Sequence, residues 1–288
     1  MKAGFEVQFH RTTRGENLGE FVRRSVEHSF DLVVASGGDG TVAEVASGLA
    51  YSSVPLGILP SGTWNAIARH LLIPLNINRA ISLILGEHDT SSLDLMKVGD
   101  HTHAMNLTIG ISVAMIQNTG RAEKRRFGIL AYFSNLISQS FGLKLKRYRL
   151  SIDGTLYKIR ASEILVANYG IIGLRYLENR LEIHPDDGKA DVIVVRARTI
   201  LDLPGLFWLT FVKREKRTPI VRIFPGCTNI GISSSNPVAV QADGDIIGTT
   251  PIEIKVVPRC VKVIVPAPRK SLLPEIEFLN PLIHPPER

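Results

Sequence analysis

Residues 33–45 read VVASGGDGTVAEV, an apolar stretch that passes through Gly37, Gly38, Asp39 and Gly40 into Thr41 and an amphipathic segment. Glycines between a strand and a helix leave backbone N–H groups facing outward at the positive helix end, an arrangement that receives phosphate. The loop does not close with Gly-Lys-Ser/Thr, so it is not a Walker loop and brings no lysine to the phosphate. It brings the carboxylate of Asp39 instead, which repels phosphate unless a divalent cation lies between them. Read without phosphate chemistry, Thr41 and Glu44 have the Thr-x-x-Glu spacing of a capping box, and the loop is a tight turn.

A second stretch, PLGILPSGTWNAIARHL at 55–71, repeats the design. A strand runs into Pro60-Ser61-Gly62-Thr63 and a helix follows. Two neighbouring parallel strands that end in Gly-Thr loops on one sheet edge would open a single crevice to the phosphates, beyond the carboxyl ends of the strands.

The elements that must hold these loops are legible in the first ninety residues. FEVQFH reads as a strand, NLGEFVRRSVEH as a helix, DLVVA as a buried strand and VAEVASGLAY as a helix; VPLGIL and WNAIARHL repeat the pair. Continuous apolar strands separated by helices predict a parallel sheet covered on both faces. From about Ser91 the pattern changes to short strands and turns, in LDLMKVGDHTHAMNLTI, YRLSIDGTLYKIR, EILVANYG, DVIVVRA, PVAVQADGDIIGTTPIEIKVV and VKVIV. Asp-Gly pairs at 153–154 and 243–244 are hairpin signals. The expectation is an α/β domain over residues 1–90 and an antiparallel β domain, a sandwich or flattened barrel, over 91–265, with 266–288 packing back on the first.

Composition limits the function classes. With 288 residues and 44% hydrophobic side chains the chain can form two ordinary cores. No apolar run approaches the ~18–20 residues of a membrane span, and no signal-peptide pattern follows Met1, so a soluble, cytoplasmic protein is expected. Cys227 and Cys260 have no zinc spacing and read as buried thiols. Residues 1–90 hold seven basic and nine acidic side chains, so the excess of the overall +7 lies beyond them. Residues 121–149 carry eight basic side chains against Glu123, in two clusters around FGILAYFSNLISQSFGL. That pattern reads either as a core helix with solvated basic ends or as a surface for peripheral contact with anionic membrane. Nucleic acid is not expected, because aromatics are not interleaved with the basic residues.

GGDGT followed by PSGTWNAIA resembles the diacylglycerol kinase catalytic-domain superfamily, with its bacterial diacylglycerol kinases, sphingosine kinases and soluble lipid kinases. The resemblance continues through NLTIGIS, LVANYG, HPDDGKADV and VQADGDIIGTTPIEIKVVPRCVKVIVP. GGDGT alone is shared with NAD kinases and, altered, with phosphofructokinases. The resemblance implies a nucleotide domain of that kind beside a β-rich domain, with ATP and Mg²⁺ used to phosphorylate a lipid alcohol in the cleft between them; a homodimer is left open. It implies nucleotide contacts at Gly37, Gly38, Asp39, Gly40, Thr41, Glu44, Gly62, Thr63 and Asn65, and at Thr12, whose register against Thr13 is uncertain by one residue. Asp245 of the Asp-Gly-Asp at 243–245 is the implied proton acceptor, with Asp243 orienting it or binding metal, and Asp39 serving the metal–phosphate assembly. Asp153, in an equally turn-like Asp-Gly, is expected to be a turn pointing to solvent. HPDDGKAD resembles a structural Mg²⁺ loop, with the Asp187 side chain and the carbonyls of His184 and Lys189 as ligands.

The chain departs from the family pattern at three places. It opens near GFEVQFH, without the usual first βα unit; Asp245 replaces a glutamate; and Ala43 and Ala66 stand where Asn and Asp are common. A side chain shorter by one carbon moves a carboxylate by roughly 1.5 Å, and a misplacement of about 1 Å can cost on the order of 100-fold in rate. Two further readings stand beside the lipid kinase: a non-catalytic nucleotide- or lipid-binding homologue, and a NAD kinase-like small-molecule kinase.

Overall fold

The computed structural model describes residues 4–13, 15–27, 30–113, 145–169, 185–198, 202 and 220–267. Strands β1 (Val33–Gly37) and β2 (Leu56–Pro60) are parallel, in register from Val33 opposite Leu56 to Gly37 opposite Pro60. Helix α1 (Leu18–Val26) precedes them and helix α2 (Asp39–Gly48) connects them. Asn17 starts α1 by accepting the Glu20 N–H, and Leu18 and Val22, one turn apart, bury its inner face. After β2 come the short helix α3 (Ala66–His70) and helix α4 (Ile77–Leu85), which is capped by Asn76 and packs on β2.

Two features of this half depart from expectation. Residues 5–10 form no strand: they join no ladder, and Phe5, Val7 and Phe9 are 61%, 61% and 95% exposed. Alternation marks which side chains would share a face, but a strand also needs a neighbour's N–H and C=O groups. Strand β1 lies at the sheet edge, so Val34 stays partly exposed, whereas Leu56 and Ile58 of β2 are buried.

The remaining strands are β3 (Asp89–Val98), β4 (His101–His103), β5 (Asn106–Gly110), β6 (Lys146–Ile152), β7 (Thr155–Ala161), β8 (Glu163–Ala167), β9 (Ala190–Val195), β10 (Val221–Cys227), β11 (Asn229–Ser234), β12 (Ala239–Ala242), β13 (Asp245–Thr249) and β14 (Ile252–Val265). One sheet runs β1-β2-β14-β11-β6-β7, with β3 on β14 and β4 on β3; the other runs β10-β9-β8-β5-β12-β13. The second sheet is antiparallel throughout. Alternate residues such as Leu150, Ile230 and Ile254 face Leu107, Val166 and Val192 in a core between the sheets, as a sandwich requires.

Strand β14 joins the two halves. It pairs antiparallel with β11 near Ile254 and parallel with β2 at Val263 opposite Leu56. The sequence reads as two strands here, yet the ladder to β3 continues across a register shift between Val257 and Val261, where Arg259 takes φ +49°. A bulge lets one strand bend and change partners without ending. Leu93, Leu95, Val261 and Val263 thereby enter the same core as α2 and β2. Residues 268–288 and the apolar segment between the two basic clusters lie outside the described residues.

Candidate active site

Both Gly-Thr loops leave the same edge of the sheet and touch. Gly37 and Pro60 are register partners, and the Ser61 N–H donates to the Gly37 carbonyl at 3.1 Å. A Cβ on Gly38 would lie 3.3 Å from the Gly62 Cα, and one on Gly62 would collide with the Gly38 Cα. The two backbones therefore form one continuous cradle that side chains would fill. Gly38 is the N-cap of α2 without a side-chain cap, and Val42 donates the first intrahelical bond, to Gly38 at 3.1 Å. The N–H groups of Asp39, Gly40 and Thr41 thus stand in the first turn, where a helix presents its donors to an anion. The Thr41–Glu44 capping box does not form, because α2 begins two residues earlier and Thr41 is already inside it.

Asp39 crosses between the loops: its Oδ1 accepts the Ile67 N–H at 3.0 Å, at the start of α3. Asn65 adopts the left-handed conformation, which asparagine tolerates. Its Oδ1 accepts from Gly62 N–H at 3.0 Å and its Nδ2 donates to the Gly62 carbonyl at 2.9 Å, so its amide shapes the loop from within. Thr13 closes a turn on Glu16, whose carboxylate accepts the Thr13 N–H at 2.8 Å and the His10 Nε2 at 2.6 Å. Thr12 is exposed beside it and is not among the residues that line the cleft described next.

A cavity of about 420 Å³ separates α1 and α2 from the β4 and β12–β13 elements. Ala43, Glu44 and Ser47 form one wall; His101, His103, Asp243 and Asp245 form the other. Ser47 Oγ fastens the floor by donating to the Thr102 carbonyl at 2.7 Å. The Gly37–Thr41 loop lies one helical turn before Glu44 on α2, and none of its residues lines this cleft. Burial first, and then the charge of Asp245, push the Glu44 carboxyl above its ordinary value. Carboxylates that converge this way are repelled by a phosphate unless cations intervene.

Asp243 and Asp245 differ in what they touch. Asp243 turns the β12–β13 hairpin with φ +50°, followed by Gly244 at +102°. Its Oδ2 accepts from Ala104 N–H at 2.9 Å and its Oδ1 from Met105 at 2.8 Å and Asn106 at 3.3 Å. Asp243 is therefore a clamp between the hairpin and the β4–β5 connection. Asp245 opens β13 as an exposed side chain in the cleft wall, free of such backbone duty. His103 Nδ1 lies 3.6 Å from Asp243 Oδ2, and its Nε2 is buried without a hydrogen-bond partner among the described residues. His101 and His103 were not singled out from sequence; the alternation of HTH, which puts both on one face of a short strand, was the available signal.

Asp153 is exposed and outside the cleft, as expected, but its carboxylate is also bonded to the protein. It repeats Asp243's device, taking φ +47° and accepting Thr228 Oγ1–H at 2.6 Å and Asn229 N–H at 2.8 Å, remote from the cleft. Bonding to Thr228 holds its carboxyl below the usual range.

In the 185–189 loop, Asp187 Oδ1 accepts the Lys189 N–H at 2.9 Å, and His184 lies outside the described residues. Beneath the loop the fully buried Asp94 accepts from Gly188 and Arg259 N–H groups; burial raises its carboxyl above the ordinary value. Among the described residues no three His, Cys, Asp or Glu side chains are grouped to hold a metal. That excludes an all-protein cage among them, but not Mg²⁺ held mainly by phosphate oxygens and water, which needs one or two carboxylates. Asp39, with one oxygen on Ile67, fits that lesser demand. Cys227 and Cys260 are buried and unpaired, and burial pushes their thiols up to about 12 and about 11.

An α/β unit with paired Gly-Thr loops is thus clasped through β14 to an antiparallel sandwich. Residues 1–98 match the diacylglycerol kinase catalytic domain, and residues 106–265 match the YegS C-terminal NAD kinase beta sandwich-like domain. The chain belongs to the diacylglycerol kinase catalytic-domain superfamily, a lipid kinase family. A crystal structure described as a diacylglycerol kinase from Bacillus anthracis superposes with a TM-score of 0.70 at 24% identity, covering 89% of this chain and 84% of that one. An uncharacterized Synechocystis protein is 30% identical over 239 residues, 82% of this chain. A Staphylococcus aureus protein provisionally named a lipid kinase is 26% identical over 264 residues, 86% of this chain. The chain spans 55% of the length of the Synechocystis relative and 84% of the Staphylococcus one.

Proposed function

We propose that this chain transfers the γ-phosphoryl group of ATP to the hydroxyl of a lipid alcohol, a diacylglycerol or a sphingoid base. The observation that carries the reading is the opposition of Asp245, on the β12–β13 hairpin, to the wall of α2 that the GGDGT loop launches. Phosphoryl transfer asks mainly for positioning and charge neutralisation, with one carboxylate aimed at the attacking hydroxyl.

The joined Gly38–Gly62 backbones and the first-turn amides of α2 receive the phosphates. Asp39 fixes the two loops relative to each other through Ile67 and is the carboxylate available to Mg²⁺. Mg²⁺ held there would supply positive charge against the phosphates. Asp245 accepts the hydroxyl proton, and Asp243, by gripping residues 104–106, sets the hairpin that aims it. Basic residues 121–149 hold the protein peripherally at an anionic bilayer, where the substrate resides.

The test is transfer of label from γ-labelled ATP by the purified full chain, with Mg²⁺, to diacylglycerol, sphingosine and other lipid alcohols in mixed micelles, and to NAD. Labelled lipid supports the proposal. Label on NAD alone, or on nothing while ATP still binds, replaces it with the small-molecule kinase or the non-catalytic reading.

A further inference from the structure

At the far end of the sandwich from the active-site cleft, a second cavity of about 830 Å³ opens between the β6–β7 edge and the β9–β10 edge. It shares no lining residue with the cleft. Arg147 and Arg149 of β6 line it together with Lys158 and Arg160 of β7, and Arg196 and Arg222 face it from the other sheet. No acidic side chain is in the lining, and none of these six cations has an ion-pair partner among the described residues.

The arrangement is electrostatically costly as it stands. Arg149 is directly opposite Lys158, and Arg147 directly opposite Arg160. Like charges facing each other across a ladder destabilise a sheet. Arg222 is held in place by aromatic faces, with its guanidinium carbon 4.3 Å from the Phe224 ring centroid and 5.1 Å from that of Tyr157. An arginine fixed on aromatic planes keeps its N–H fork available to a planar or tetrahedral anion.

Tyr148, between Arg147 and Arg149 on β6, points the other way, into the core between the sheets, and takes no part in the cation cluster.

We infer that this cavity is a binding site for a phosphate-bearing anion, recognised by the Arg149–Lys158 and Arg147–Arg160 pairs and the Arg222 fork. A phosphorylated lipid headgroup and a small soluble phosphate ester present the same chemistry. The site does not rest on kinase activity, because it is built from different strands.

The experiment uses the purified full chain in buffer without ATP. Binding of glycerol 3-phosphate is measured by calorimetry, and binding to vesicles of phosphatidylcholine, with and without phosphatidic acid, by sedimentation. Each is repeated for Arg149→Gln, Arg222→Gln and, as a control for loose surface charge, the exposed Arg79→Gln on α4, with circular dichroism confirming the fold of each variant. Binding of either probe that falls about tenfold or more in Arg149→Gln and Arg222→Gln but not in Arg79→Gln supports the site. Response to glycerol 3-phosphate identifies a soluble ester; response to phosphatidic acid vesicles alone identifies a headgroup. If neither probe binds, or if binding is indifferent to Arg149→Gln and Arg222→Gln, the inference is overturned. Should Arg149→Gln fail to fold, Lys158→Gln at the exposed opposite position takes its place.

Discussion

Gly62 and Gly38 meet backbone to backbone, so closely that a Cβ on Gly62 would collide with the Gly38 Cα and stand 2.9 Å from Asn65 Oδ1. Gly62→Ala should therefore force the two loops apart and destabilise the protein by about 1–3 kcal/mol, the usual cost of overpacking. Gly40 has nothing within 4 Å of an added Cβ and lies in α2. Gly40→Ala should leave stability unchanged or raise it by up to about 1 kcal/mol. Urea denaturation of the two variants side by side tests the cradle, and equal effects would contradict it.

Asp39 combines a structural bond and a charge, which two substitutions separate. Asp39→Asn keeps an oxygen for the Ile67 N–H and removes the charge; Asp39→Ala removes both. We expect Asp39→Ala to lose about 0.5–2 kcal/mol, as when a helix cap is deleted, and Asp39→Asn to lose little. Both should abolish turnover. An Asp39→Asn variant with full Mg²⁺-dependent turnover would remove the carboxylate from the reaction.

The Asp243 clamp predicts a stability effect that Asp245 lacks. Asp243→Ala leaves the N–H groups of Ala104 and Met105 without their acceptor, at a cost of about 2–4 kcal/mol in total. Asp245→Asn, at an exposed position, should shift stability by less than about 0.5 kcal/mol. Thermal melts of both variants measure the contrast.

Two carboxyls give pH dependences of opposite sign. Glu44 is raised in the folded protein, so the fold holds the proton more tightly than the unfolded chain does. Its relative stabilisation is full below the unfolded value and is lost as pH rises through the folded one. Asp153 is lowered, so its contribution is present above the unfolded value and is lost as pH falls through the folded one. Glu44→Gln should gain stability over wild type toward neutral pH, whereas Asp153→Asn should show its largest deficit there and converge on wild type in acid. Denaturation midpoints across the carboxylate range check both signs.

Much of this was legible because local grammar and tertiary demand agreed. The apolar run at Leu56–Ile58, the Asp-Gly turns and the two Gly-Thr loops each specify a conformation that their neighbours also require. Where the two diverge, the sequence misleads. FEVQFH alternates but finds no ladder. Strand β10 escapes notice because Pro225-Gly226 interrupts it, and the structure absorbs that pair as a register shift between Phe224 and Cys227. Helix α4 hides in a long apolar-rich stretch that lacks any chemistry. In the site, Asp94 beneath the 185–189 loop and His103 against Asp243 join residues 94 or more and 140 apart in number, a relation no local pattern encodes.

The central claim rests on Asp245 as the proton acceptor for a lipid hydroxyl. Its most direct test is the maximal rate of phosphoryl transfer from ATP to the preferred lipid, in wild type and in Asp245→Asn, beside the ATP affinity of each. The account predicts a fall of on the order of 100-fold or more in rate with ATP affinity nearly unchanged, since general-base catalysis contributes about 10²–10⁴-fold. An Asp245→Asn variant that transfers phosphate at the wild-type rate would contradict it.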